Sequence, residues 1–207
     1  KRLVGATVLA LLATAVPMGL AAPASADTFT VTTTEDGVPG SLRDAIDQAN
    51  LTPGADTIVL APDADYFLDD AAGPLVADTG ALTIEGNGSS IIQLLAGERV
   101  LVKDDATDLV LRGVSVLGGS TLNDGGGIYA AGNVVLEEST VEANLSGSNG
   151  GGIYTEGDLS LSSSTIAFNS AGGVGGGAPA AGDTFAVNST VDRPDARDPG
   201  GGPASAV

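Results

Sequence analysis

From Gly125 onward the chain repeats itself every 25 residues, and this fixed period limits its fold more than any other feature. Gly-Gly-Gly opens at Gly125, Gly150, Gly175 and Gly200. The first two copies, GGGIYAAGNVVLEESTVEANLSGSN and GGGIYTEGDLSLSSSTIAFNSAGGV, align without a gap and share 11 of 25 positions. The third, GGGAPAAGDTFAVNSTVDRPDARDP, keeps Gly182, Asp183, Ser189 and Thr190 in register. A unit of this length cannot bury its apolar residues alone. It does so by stacking on copies of itself, which is the logic of a solenoid.

Equivalent positions carry equivalent chemistry. Ile128 matches Ile153, Val134 matches Leu159, Leu136 matches Leu161, and Val141 matches Ile166 and Val191. Ser139, Ser164 and Ser189 coincide, as do Thr140, Thr165 and Thr190, and Asn144 with Asn169. Stacked as parallel strands, such residues form columns spaced about 4.8 Å apart. Aliphatic columns fill the interior, and Ser/Thr and Asn columns hydrogen-bond along the stack. A unit of 25 residues is too short for a crossover helix and suits three short strands joined by turns. Gly132, Gly157 and Gly182 mark a turn expected to need positive φ. The expected fold class is all-β: a right-handed parallel β-helix with an N-terminal strand plus a short capping helix. The nine-residue Gly-Gly-x-Gly-x-Asp spacing of calcium-binding repeats is absent. A flexible Gly/Ser linker would not alternate aliphatics in register.

The chain ahead of the repeats divides further. Lys1 and Arg2, the apolar run Leu3 to Val16, and Ala24-Ser25-Ala26 have the layout of a secretory signal peptide over 1–26. A retained anchor is the alternative, since Leu3 to Ala22 nearly suffices to span a bilayer; Pro17 and the small-residue site favour cleavage. A cap over 27–56 comes next. Asp27 to Thr34 reads as a strand. Ser41 to Asn50 reads as a helix capped by Ser41 with Asp44, its stripe Leu42, Ala45, Ile46 and Ala49. Asn50 and Pro53-Gly54 stop it. Coils are expected over 57–199, beginning with irregular strands near Thr57–Leu60, Tyr66–Leu68, Leu82–Gly88, Ile91–Leu94, Val100–Val102 and Leu109–Val116. Residues 200–207 read as the start of a truncated repeat or a tail. The chain does not begin with Met and stops soon after the fourth Gly-Gly-Gly, so it is expected to be a piece of a longer product.

Composition narrows the function classes. The 26 acidic residues against 8 basic ones give a net charge of −18, which disfavours nucleic acid and anionic lipid. No cysteine is present, so stability cannot come from disulfides; no histidine is present, so Ser-His-Asp catalysis and His-ligated zinc are excluded.

At Gly40-Ser41-Leu42-Arg43-Asp44-Ala45-Ile46, followed by Ala49-Asn50 and Asp56-Thr57-Ile58, the chain resembles the N-terminal CSLREA-type module of secreted right-handed parallel β-helix proteins. Gly40 stands where that module's Cys would be, and Asp44 replaces its Glu. The GGGIY openings, with Leu136, Ser139-Thr140 and Asn144 and their counterparts, resemble polymorphic-outer-membrane-protein repeats. The resemblance implies secretion or surface display, often in adhesin-like stalks, and it brings no catalytic residues.

Two candidate sites emerge. Tyr129 and Tyr154, one coil apart, would form an outward aromatic strip suited to sugar rings, or would merely stack over a sheet face; Ala178-Pro179 ends the strip. Asp104-Asp105, near Lys103 and Arg112, is an acidic pair that a β-helix polysaccharide lyase or glycoside hydrolase could use. Solvated loop residues are the plainer reading, because the Gly-His-Gly turn and Arg-x-Lys pair of such enzymes are missing. Asp63 with Asp65, Asp69-Asp70 and Glu137-Glu138 offer oxygen to Ca²⁺ without the spacing of a binding loop, so no cofactor is assigned. The expected function is a non-catalytic secreted or cell-surface module, adhesin-like or glycan-binding. The alternatives are a β-helix polysaccharide lyase or glycoside hydrolase, or a non-functional remnant. Expected partners are an extracellular glycan or a host or cell-surface protein, with no nucleic acid and no membrane span after cleavage. A last coil left uncovered would favour end-to-end self-association.

Overall fold

A computed structural model describes residues 25–69 and 72–191. All but the last two residues of the expected leader lie outside the described residues, as do Asp70 and the tail 200–207. The N-terminal segment holds strand β1 (Thr28–Thr30), helix α1 (Leu42–Ala49) and strand β2 (Ala55–Val59). Irregular coils follow with β3 (Asp65–Leu68), β4 (Leu75–Ala77), β5 (Ala81–Gln93), β6 (Leu101–Lys103), β7 (Leu109–Leu117) and β8 (Ser120–Thr121). The first regular coil is β9 (Ile128–Ala130), β10 (Val134–Glu137), β11 (Thr140–Glu142) and β12 (Leu145–Ser146). The second is β13 (Ile153–Thr155), β14 (Leu159–Ser162), β15 (Thr165–Ala167) and β16 (Ser170–Ala171). In the third lie β17 (Thr184–Val187) and β18 (Thr190–Val191).

Every strand pairing is parallel, and the chain is an all-β parallel β-helix with a helical front cap, as the repeat implies. The main sheet runs β1-β2-β5-β7-β10-β14-β17, with the β3, β11, β15 and β18 pairings branching from it. Two smaller sheets, β4-β6-β9-β13 and β8-β12-β16, close the coil. The 25-residue step is strict in the regular coils, where Leu136 pairs with Leu161 and Ile128 with Ile153. It lengthens in the front ones, where Leu82 pairs with Leu109 and Leu75 with Leu101.

Like residues therefore meet along the axis. Ile58, Ile84, Leu111, Leu136 and Leu161 form one continuous column, and Leu75, Leu101, Ile128 and Ile153 another. All are buried, and each such side chain contributes about 1.5–3 kcal/mol by leaving water.

Three expectations about the coil path are corrected. The first two regular coils use four short strands each rather than three, because the chain turns twice between β10 and β12 and again between β14 and β16. Those corners are made by non-glycine residues in the left-handed region, Glu138 (φ 50°) and Ala143 (φ 55°) in one coil, Ser163 (φ 50°) and Phe168 (φ 56°) in the next. Second, Gly132, Gly157 and Gly182 do not adopt positive φ; the first glycine of each triplet does, at Gly125, Gly150 and Gly175. The other three are glycine for lack of space, since a Cβ on Gly157 would lie 2.5 Å from Asn133 Oδ1 and 2.8 Å from the Gly132 carbonyl carbon. Third, the segments expected as strands at Leu82–Gly88 and Ile91–Leu94 are one strand, β5. It carries a register shift between Glu85 and Ser89, where Asn87 (φ 52°) and Gly88 (φ 87°) absorb the extra residues. The N-terminal strand is also shorter than its alternating pattern suggested, because Thr32 and Thr33 turn away to donate to Gly40 O.

The cap behaves as its sequence demands. Ser41 Oγ accepts from Asp44 N at 3.1 Å, while Asp44 Oδ2 accepts from Gly40 N at 2.7 Å. Leu42, Ala45, Ile46 and Ala49 are buried as α1 packs on β1, β2 and β4. Arg43 fixes the docking: it donates to Gly73 O (2.8 Å) and Pro74 O (2.9 Å) and forms two 2.9 Å bonds to the carboxylate of Asp36.

Candidate functional site

Alternation along the β4-β6-β9-β13 sheet sets its outer face. Leu101 and Lys103 point inward around Val102, and Ile128 and Ala130 point inward around Tyr129. Register then aligns Val76, Val102, Tyr129 and Tyr154 on the outside. The two tyrosine rings are stacked, with centroids 5.9 Å apart and planes 6° from parallel. Arg99 lays its guanidinium over Tyr129, 5.3 Å from the ring centroid, and is held there by a 2.9 Å bond from Nε to Asp124 O. The structure thus brings both expected tyrosines together. It sets Tyr129 between a cation and a second ring, so its faces meet neighbours rather than open solvent.

The Tyr129 hydroxyl donates to Glu156 Oε1 at 2.7 Å. That bond, then burial, then the negative charge nearby push the phenol up to about 12. Arg99 and Glu156 are functional neighbours that the sequence reading missed. Arg99 lies in an irregular coil whose register the 25-residue period does not supply.

The second expected pair separates. Asp104 is exposed, whereas Asp105 turns back into the coil. Asp105 Oδ2 accepts from Gly80 N (2.8 Å), and Oδ1 accepts from Thr107 N (3.1 Å), Thr107 Oγ1 (2.5 Å) and Lys103 Nζ. This carboxylate braces the turn between β6 and β7. Lys103, read as a neighbour of the acidic pair, has a fully buried side chain, 0% exposed, in a column between Ala77 and Ala130, and that burial is what the sequence reading missed. Burial lowers its amine to about 8 against the opposing pull of Asp78, Asp104 and Asp108. Period-two alternation from Leu101 was the available signal. Arg112, read as a partner of the acidic pair, lies farther along β7 and bridges Glu85 (2.8 Å) and Glu137 (2.7 Å).

The remaining acidic residues are dispersed. Asp63 sits at a positive-φ corner, Asp65 begins β3, and Glu138 makes the corner after β10. Among the described residues no group of three or more His, Cys, Asp or Glu side chains is placed to hold a metal ion. An open groove of about 650 Å³ runs along β8, β12 and β16, lined by uncharged residues that include Ser120, Leu122, Leu145 and Ser170. No helix among the described residues is long and apolar enough to cross a membrane.

Set against protein-family models, curated proteins and solved structures, the chain matches none.

Proposed function

We propose that this chain is a non-catalytic module of a secreted or cell-surface protein, a stiff rod that presents an adhesin-like contact face to an extracellular glycan or surface protein. The observation that carries the reading is the in-register pair Tyr129 and Tyr154 on the outer face of a parallel sheet, a stacked ridge that offers ring edges rather than the covered faces of Tyr129. Aromatic residues held without conformational freedom lose little entropy on contact. The groove along β8, β12 and β16 offers a second, uncharged strip beside hydroxyl groups. Asp105, the best candidate for acid chemistry, is occupied in bracing a turn, which favours the non-catalytic reading over a lyase or hydrolase.

The test is binding of the purified protein to a glycan panel, together with incubation on pectin-type polysaccharides with and without Ca²⁺. Retention on a glycan that is lost in the Tyr129→Ala, Tyr154→Ala double variant supports the reading. Turnover into unsaturated or reducing-end products, abolished by Asp105→Ala, overturns it.

A further inference from the structure

Among the described residues, Lys103 and Asp105 form an arrangement whose chemistry stacking alone does not explain. A lysine amine in a coil interior is costly to keep charged, and its neighbours along the column, Ala77 and Ala130, are apolar. Ala77 and Ala130, directly before and after it in register, leave room for its methylene chain to run inside the coil. The chain ends against the Asp105 carboxyl, so amine and acid are held in contact rather than meeting by diffusion. The carboxyl is itself immobilised, with the Gly80 N–H on Oδ2 and the Thr107 N–H and hydroxyl on Oδ1.

We propose that Lys103 Nζ and Asp105 Cγ condense spontaneously into a side-chain amide, an internal covalent staple across the turn between β6 and β7. Within the ion pair the ammonium first passes one proton to Oδ1, which leaves a neutral amine beside a carboxylic acid; the amine then attacks Cγ and the C–N bond forms. Negative charge developing on Oδ2 is held by the Gly80 N–H, the arrangement of an oxyanion hole. The Thr107 hydroxyl, 2.5 Å from Oδ1, relays a second proton from the nitrogen to that oxygen. The Cγ–Oδ1 bond then breaks and water leaves. Taken from the ion pair, the ammonium gives up two protons, the carboxylate gives up one oxygen, and no oxidant or other reactant is required. Burial, which lowers the amine to about 8, eases the transfer of that first proton. The product replaces a buried ammonium and a part-buried carboxylate with one neutral amide whose carbonyl keeps the Gly80 bond. In a cysteine-free chain it would hold the irregular front coil shut.

The test is mass spectrometry of the folded protein, intact and after tryptic digestion of the denatured chain. The peptide spanning 100–112 is expected uncut after Lys103 and lighter by one water. Lys103→Met should restore the full mass of that segment. Asp105→Asn should react with loss of ammonia instead of water, a signature that an ion pair cannot produce. Should Lys103→Met fail to fold, the Asp105→Asn peptide decides, by loss of ammonia together with resistance to cleavage after Lys103. A full-mass peptide cut normally at Lys103, after long incubation of the folded protein near neutral pH, overturns the proposal.

Discussion

Asn144 and Asn169 occupy the same corner of successive coils, and Asn144 Nδ2 donates to Asn169 Oδ1 at 3.0 Å. The same oxygen accepts from Asn144 N, also at 3.0 Å, and Asn144 Oδ1 in turn accepts from Gly119 N at 2.9 Å. Asn144 Nδ2 also reaches the carbonyls of Val116 (3.1 Å) and Glu142 (2.8 Å), and Asn169 Nδ2 that of Val141 (2.8 Å). Both side chains are buried, 2% and 0% exposed. A parallel ladder of Ser139, Ser164 and Ser189 serves the preceding corner, each Oγ accepting a backbone N–H from the coil before. Backbone turned out of the sheet at a tight corner needs such partners, because buried polar groups left unpaired cost about 1–3 kcal/mol each.

Asn144→Ala should therefore destabilise the fold by about 3 kcal/mol, since it orphans the Gly119 N–H and the Val116 carbonyl together. A urea-unfolding midpoint measures this. A change near zero would mean that the ladder is ornamental.

The two arginines that bridge acidic residues should behave differently. Arg43 is largely buried and satisfies two carbonyls of the following coil as well as Asp36. Arg43→Met should cost about 3–5 kcal/mol and release hydrogen-exchange protection in α1 and β1 first. Arg112 is 44% exposed between Glu85 and Glu137, so Arg112→Ala should cost at most about 1 kcal/mol, and less in high salt.

Gly157→Ala should destabilise by about 1–3 kcal/mol although its φ is not positive, because the added methyl meets the backbone of Gly132 and Asn133 rather than a side chain that can move. The same unfolding curve reads the effect. A neutral result would mean that neighbouring coils can separate locally.

Tyr129 should deprotonate well above the ordinary phenol value of 10.0, near 12, in an alkaline absorbance titration. Glu156→Gln should bring it back toward 10.0, because the carboxylate bond is the largest cause of the shift. The folded state holds a proton that the unfolded chain releases first. The stability from this bond is thus complete below about pH 10 and is lost as pH rises toward 12.

The legible part of the protein follows from one physical fact: equal spacing makes equivalent residues meet. Ile128 on Ile153, Leu136 on Leu161, Asn144 on Asn169 and Tyr129 on Tyr154 could all be read from the 25-residue period. The capped amphipathic helix at Leu42–Ala49 could be read from local spacing. What the period could not supply was the path of the chain within one coil. The left-handed corners at Glu138 and Ala143 add a fourth strand, and they fall on residue types that give no warning of it.

Nor could it supply contacts between coils of unequal length. Arg99 over Tyr129 lies where the irregular coils join the regular ones, and the Lys103–Asp105 brace closes on Gly80 one coil earlier. The sequence by itself determined that the chain stacks, which residues face the axis and which columns they join, because periodicity is a local property copied along the chain. Only the tertiary structure decided which charges are buried and which rings are covered, because those depend on how far each coil travels before it returns.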